Sequence, residues 1–134
     1  MNTIEESAVL QLDFQKLSKL AGAGVVPVAV QNIDTDEVVL LAYTNQKALE
    51  LALARRSLIL WSTSLNELWE KGKTSGETFE LVEAYVNCEQ NSLLYRVRPR
   101  RGGICHTKNK VGQPRNCFYR RINLATRELE NIDP

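Results

Sequence analysis

The pattern of apolar and polar positions divides the chain into short elements. Val25-Val26-Pro27-Val28-Ala29-Val30 is an unbroken apolar, mostly β-branched run, which predicts a buried strand. The polar stretch Asn32-Ile33-Asp34-Thr35-Asp36 predicts a turn and Glu37 to Tyr43 a second strand, so the two form a hairpin. Upstream, Phe14, Leu17 and Leu20 recur at helical spacing after a capping Asp13, and Gly22 and Gly24 end the run, which predicts a helix over Ser7 to Gly24. Gln46 to Arg56 consists of good helix formers behind Thr44 or Asn45 as cap, with Arg55 and Arg56 at the favourable C-terminal end. Ser57 to Ser64 reads as a strand and the polar, Gly-containing Lys71 to Glu77 as a loop. Phe79 to Cys88 and Leu93 to Arg98 read as strands around the turn Glu89-Gln90-Asn91-Ser92. After Arg101-Gly102-Gly103 come a short block, Ile104 to Thr107, a loop over Lys108 to Arg115, and a last strand near Cys117-Phe118-Tyr119-Arg120. The expected fold class is α+β: a single β-rich domain, 1–134, with two main helices.

Composition narrows the function classes. The chain has 134 residues, 43% hydrophobic and 25% charged, enough for one domain with its own core. A net charge of +1 gives no broad field to attract nucleic acid or an anionic membrane. No apolar run is long enough to span a bilayer. Met1 to Ser7 carries Glu5 and Glu6 instead of a basic stretch before an apolar core, so a secretory signal is not expected and the compartment reads as cytoplasmic.

The chemistry-bearing residues are few. Cys88, Cys105 and Cys117 are an odd number of cysteines without a C-x-x-C pair, so neither a disulfide framework nor a zinc-finger pattern is indicated. Three thiolates can hold a catalytic zinc ion with an open position for water, and three scattered cysteines can equally be buried small hydrophobes. His106 is the one histidine and directly follows Cys105. In extended chain the two point to opposite faces, which leaves the imidazole as a proton carrier beside a metal, or as a histidine without a role. Trp61 and Trp69 flank a polar segment that runs on into Lys71-Gly72-Lys73-Thr74-Ser75-Gly76. Hydroxyls, freed amides and lysines of this kind hold phosphate and aromatics stack on bases, although the spacing is not that of a P-loop and a core tryptophan pair beside a solvated loop fits as well. Asn87, Glu89 and Asn91 alternate around Cys88; one carboxylate with two amides makes a poor hard-cation site.

Taken together, several blocks in order resemble the phosphoribosyl-AMP cyclohydrolase family over roughly Val25 to Arg120. They are Val39-Leu40-Leu41-Ala42-Tyr43-Thr44-Asn45, Trp61-Ser62 through Leu68-Trp69 to Lys71-Gly72-Lys73-Thr74-Ser75-Gly76, Val86-Asn87-Cys88 with Ser92-Leu93-Leu94, Cys105-His106-Thr107, and Cys117-Phe118-Tyr119-Arg120. The resemblance implies a family core over 25–120 behind an N-terminal segment, 1–24. It also implies an intertwined homodimer whose zinc sites lie between subunits, with Cys88, Cys105 and Cys117 as ligands supplied by both chains and His106 assisting proton transfer. The implied reaction is hydrolysis of the purine N1–C6 bond of a small-molecule nucleotide, 1-(5-phosphoribosyl)-AMP, in histidine biosynthesis. Trp61, Ser62, Lys71, Thr74, Ser75 and Gly76 would bind the substrate.

The chain also departs from the family pattern. Members commonly carry Asp-Cys-Asp-x-Asp, a magnesium site, where this chain has Asn87-Cys88-Glu89-Gln90-Asn91, so the resemblance implies at most a weakened magnesium site at Asn87, Glu89 and Asn91. Thr63 stands where the family often has Arg and Asn32 where it has Asp, and Lys108 to Gln113 reads as an insertion between Cys105 and Cys117. Two other readings follow from these departures: a diverged hydrolase of another purine nucleotide, and a non-catalytic, zinc-stabilised nucleotide-binding dimer.

Overall fold

A computed structural model of the chain describes residues 8–9, 24–73, 76, 78–100 and 107–134. The apolar run at the start of the core becomes β1 (Val26–Asn32), which pairs antiparallel with β2 (Val38–Thr44) as the hairpin pattern predicts. Asn32 Oδ1 accepts from the Asp34 amide at 2.8 Å and Asp36 takes a positive φ of 63°, which together close the turn. The helix α1 (Gln46–Arg55) begins at Asn45, whose side chain accepts from the Ala48 amide at 2.9 Å. It buries Ala48 and Ala52 and ends at Arg56 in the left-handed region, φ 51°. Small residues on the buried face let α1 pack closely on β2 and on the next strand, β3 (Ile59–Ser62).

β3 turns back through residues 63–66 into β4 (Glu67–Glu70), with Leu60 opposite Trp69 and Trp61 opposite Leu68. β4 was not expected from the sequence, which assigned no element between the strand ending at Ser64 and the loop beginning at Lys71. β5 (Phe79–Val86) and β6 (Leu93–Pro99) form a second hairpin, and β6 lies parallel to β1. The main sheet therefore has the order β2-β1-β6-β5. Its inner face carries Val28, Val30, Leu40, Tyr95, Val97, Phe79 and Leu81, all buried, and Leu58, Ile59 and Leu60 complete the core. Each large side chain buried here stabilises the fold by about 1.5–3 kcal/mol, and Leu60→Ala would cost about 2–5 kcal/mol.

The chain closes with a small hairpin of β7 (Arg120–Ile122) and β8 (Leu129–Asn131). Cys117 and Phe118 lie in a turn before β7 and not on the strand expected there. Residues 108–113 form a closed turn: Asn109 and Gln113 bond through their backbones at 2.9 Å, and Asn109 Oδ1 accepts from the Gln113 amide at 2.9 Å. The helix expected over Ser7 to Gly24 falls outside the described residues, apart from Ala8, Val9 and Gly24, so α1 is the one helix among those described. A small β-rich domain of the α+β class results.

Candidate functional site

Cys88 sits in the turn that joins β5 to β6, two residues beyond Val86. The turn is tied across its neck by the Asn87 amide on the Ser92 carbonyl at 3.2 Å. Cys117 is held on β2: its amide donates to the Val39 carbonyl at 3.1 Å, and Asn116 Nδ2 donates to the Val38 carbonyl at 3.0 Å. Behind it the buried Arg115 donates from Nε to the Asp133 carbonyl at 2.8 Å, which braces this loop against the end of the chain. Both thiols are exposed and outside any disulfide, so soft, accessible sulfur ligands are present in a form that suits zinc.

The strand order keeps these two thiols apart. β2 and β5 are the two edges of the four-stranded sheet, three inter-strand steps or about 14 Å from each other. Along the strands, Val86 pairs with Leu93, which pairs with Val28, whereas Val39 lies beside the Val30–Gln31 bulge. Cys88 therefore stands about 15 Å from Cys117 in the strand direction as well. The two occupy diagonally opposite corners of one sheet. Ligands of one zinc ion have sulfurs within about 4 Å of each other, since each Zn–S bond is about 2.3 Å. Cys105 and His106 lie outside the described residues.

The expected substrate-binding residues fall on the β3–β4 hairpin and the loop after it. Trp61 and Ser62 end β3; Ser62 Oγ accepts from the Leu65 amide at 3.2 Å and so also shapes the tip of the hairpin. Trp61 and Trp69 belong to different cross-strand pairs and face opposite sides, so they do not form a core pair. The Lys71 ammonium lies over the Trp69 ring, 5.7 Å from its centroid, and the Lys71 amide bonds the Leu58 carbonyl at 3.0 Å. Gly76, at φ 82°, donates its amide to the Gly72 carbonyl at 2.8 Å and closes the loop. Thr74 and Ser75 are outside the described residues.

Sequence reasoning missed an anchor at the base of this loop. Buried Ser57 donates from Oγ to Glu70 Oε2 at 2.6 Å, and Arg100 donates to Ser57 Oγ and to the Arg56 carbonyl, both at 3.0 Å. The Arg100 amide also bonds the Thr78 carbonyl at 2.9 Å. The anchor thus fixes together the two points where the 71–78 loop and the 101–106 segment leave the sheet. Its one sequence signal is a small polar residue, Ser57, heading an otherwise apolar strand.

Asn87, Glu89 and Asn91 do gather in one turn, by hydrogen bonds to each other. Asn87 Oδ1 accepts from the Asn91 and Ser92 amides, both at 2.9 Å; Asn87 Nδ2 donates to Asn91 Oδ1 at 2.6 Å; Asn91 Nδ2 reaches Glu89 Oε2 at 3.4 Å. Magnesium demands oxygen ligands in near-octahedral array, and one carboxylate with two amide oxygens already engaged does not fit it. Among the described residues no group of three His, Cys, Asp or Glu side chains could hold a metal ion, and no helix is long and apolar enough to cross a membrane.

The phosphoribosyl-AMP cyclohydrolase family model matches residues 40–119, from β2 to the turn after Cys117. This chain belongs to the phosphoribosyl-AMP cyclohydrolase family. Similar proteins include the phosphoribosyl-AMP cyclohydrolase of Syntrophotalea carbinolica, 38% identical over 83% of this chain and 81% of that one. That of Cenarchaeum symbiosum is 40% identical over 85% and 95% of the two chains. A histidine biosynthesis bifunctional protein of Thermus thermophilus is 42% identical over 79% of this chain and 47% of its own length. The chain is thus an enzyme of the cyclohydrolase family, and the matched span contains Cys88, Cys105, His106 and Cys117 together with the β3–β4 hairpin and its loop.

Proposed function

We propose that the protein hydrolyses the N1–C6 bond of 1-(5-phosphoribosyl)-AMP in cytoplasmic histidine biosynthesis, at zinc sites each completed by two copies of the chain. The observation that carries the two-chain part is the placement of Cys88 and Cys117 at opposite corners of one sheet. A twofold dimer can bring the Cys88 corner of one copy to the Cys117 corner of the other and so form two equivalent sites. An apolar row on the outer sheet face supports such an interface: Leu41, Ala29, Leu94 and Tyr85 stand in register across all four strands, with Leu41 and Tyr85 53% and 51% exposed.

Cys88, Cys105 and Cys117 would hold the metal. Zinc bound by three thiolates supplies an open position at which water has a near-neutral pKa. The oxygen of water bonds to C6 as the N1–C6 bond breaks, His106 would deliver the proton that N1 gains, and C6, which keeps its exocyclic nitrogen, becomes the carbon of a carboxamide. Lys71 and the Thr74-Ser75-Gly76 loop bind phosphate, with Trp61 and Ser62 beside the base. The Ser57–Glu70–Arg100 anchor acts through these groups by fixing where their two segments leave the sheet.

Turnover of phosphoribosyl-AMP, followed by the absorbance change on ring opening with zinc measured on the same sample, tests this reading. Cys105→Ser should lose zinc and rate together. His106→Ala should keep zinc and lose about 10²–10⁴ in rate. Zinc-loaded protein that leaves phosphoribosyl-AMP intact would move the function to another purine nucleotide or to binding alone.

A further inference from the structure

We infer that the turn bearing Cys88 takes no divalent cation, and that the side-chain amides of Asn87 and Asn91 do the work of one. The orientation of both amides follows from the backbone. Asn87 Oδ1 accepts two main-chain N–H groups, from Asn91 and Ser92, so Asn87 Nδ2 is the group facing Asn91. That nitrogen donates to Asn91 Oδ1 at 2.6 Å, which fixes the second amide with Nδ2 toward Glu89 Oε2 at 3.4 Å. Donors thus run in one direction, Asn87 to Asn91 to Glu89, and end on the single carboxylate of the turn.

Each N–H in this relay points at an oxygen from the place where an aspartate would put a second oxygen. Were positions 87 and 91 aspartates in the same geometry, two carboxylate oxygens would meet at hydrogen-bond distance, with Glu89 a third anion beside them. Such an arrangement holds only around a cation or a shared proton. With amides the turn carries one negative charge, that of Glu89, instead of three, and positive φ at Gln90, 56°, completes it without a metal. Asn87 and Asn91 are therefore positioning residues: they hold the turn that presents Cys88. The inference draws on the proposed function only for the role of Cys88.

The test uses zinc-loaded wild-type protein and the double variant Asn87→Asp/Asn91→Asp, with manganese as a spectroscopic probe and magnesium as its competitor. Wild type should give no manganese signal from the turn up to millimolar concentration, and magnesium should leave its melting temperature unchanged. The double variant should gain one manganese site per chain. It should melt about 3–5 °C lower than wild type without a cation and recover with magnesium. A wild-type manganese site that Asn87→Ala abolishes would overturn the inference, as would a double variant that binds nothing and melts like wild type. These readouts need no turnover, so they stand apart from the substrate assignment. In the turnover assay, wild-type rate should not change with added magnesium beyond what the nucleotide itself chelates.

Discussion

The β1–β2 turn and the β5–β6 turn cap opposite ends of the same sheet, and each begins on an asparagine whose side-chain oxygen accepts backbone amides. Beyond that they are built on different physics. At the β1–β2 end, Asp36 pairs with Arg96 at 2.6 Å and Asp34 with Arg98 at 3.0 Å, while Glu83 takes the other arm of Arg96 at 2.8 Å. The acids of this turn are neutralised by arginines that β6 places on the outer face. The β5–β6 turn has no arginine among these partners; its anion count is lower and its contacts are amide to amide. A tight turn can thus hold carboxylates where a neighbouring strand supplies cations, and it otherwise closes with amides. The same two ends separate Cys117 from Cys88, so a zinc ion held by both of these thiols would need two chains.

The largest effect should come from the thiols. Cys88→Ser and Cys117→Ser should each lower zinc content and drop turnover by at least about 10³-fold, despite lying at opposite corners, because each supplies the same site. Loss in only one of them, by metal analysis and rate, would break the symmetry of the comparison. Next in size, Asn87→Ala removes the acceptor of two main-chain amides and should cost about 1 kcal/mol in denaturant melts. Its effect should be insensitive to salt, since no charge is involved.

The smallest effect is acid sensitivity at the other end. The hydrogen bond from Arg98, aided by its charge, holds the Asp34 carboxyl below the usual range, while desolvation opposes the shift. A folded pKa below the unfolded one means that the unfolded chain takes up the proton first. The stabilisation is therefore complete above about pH 4 and is lost as pH falls through the folded pKa. Asp34→Asn should flatten stability measured against pH below 4 and weaken its salt dependence, whereas Asn87→Ala should leave both profiles unchanged. An unaltered acid profile in Asp34→Asn would show that this ion pair contributes nothing measurable.

How much of this was legible in the sequence depends on the range of the interaction. β1, β2, α1, β5 and β6 carry their own signals: a β-branched run, a cap at Asn45, strong alternation around Leu81 and Tyr95. β4 escaped because Glu67-Leu68-Trp69-Glu70 is short and bounded by charge, and becomes a strand only through pairing with β3. β8 spans three residues and forms only by pairing with β7. The cysteines could be named from their blocks, but not placed. Their separation follows from the parallel pairing of β1 with β6, a contact between segments distant in the chain that no local pattern encodes. The closure of the Cys88 turn was half visible: the loss of acidic residues was plain, and the relay that takes their place needed coordinates.

The central question is whether one zinc site draws on two chains. The direct measurement is to co-express Cys88→Ser and Cys117→Ser proteins under different tags, purify the mixed dimer population, and assay zinc and phosphoribosyl-AMP turnover. Each variant alone should be inactive. Random mixing makes about half the dimers hybrid, each with one intact site of two, so about a quarter of wild-type turnover should return with a matching share of zinc. Hybrid dimers that stay as inactive as their parents would contradict the account, and so would either variant retaining full zinc and rate by itself.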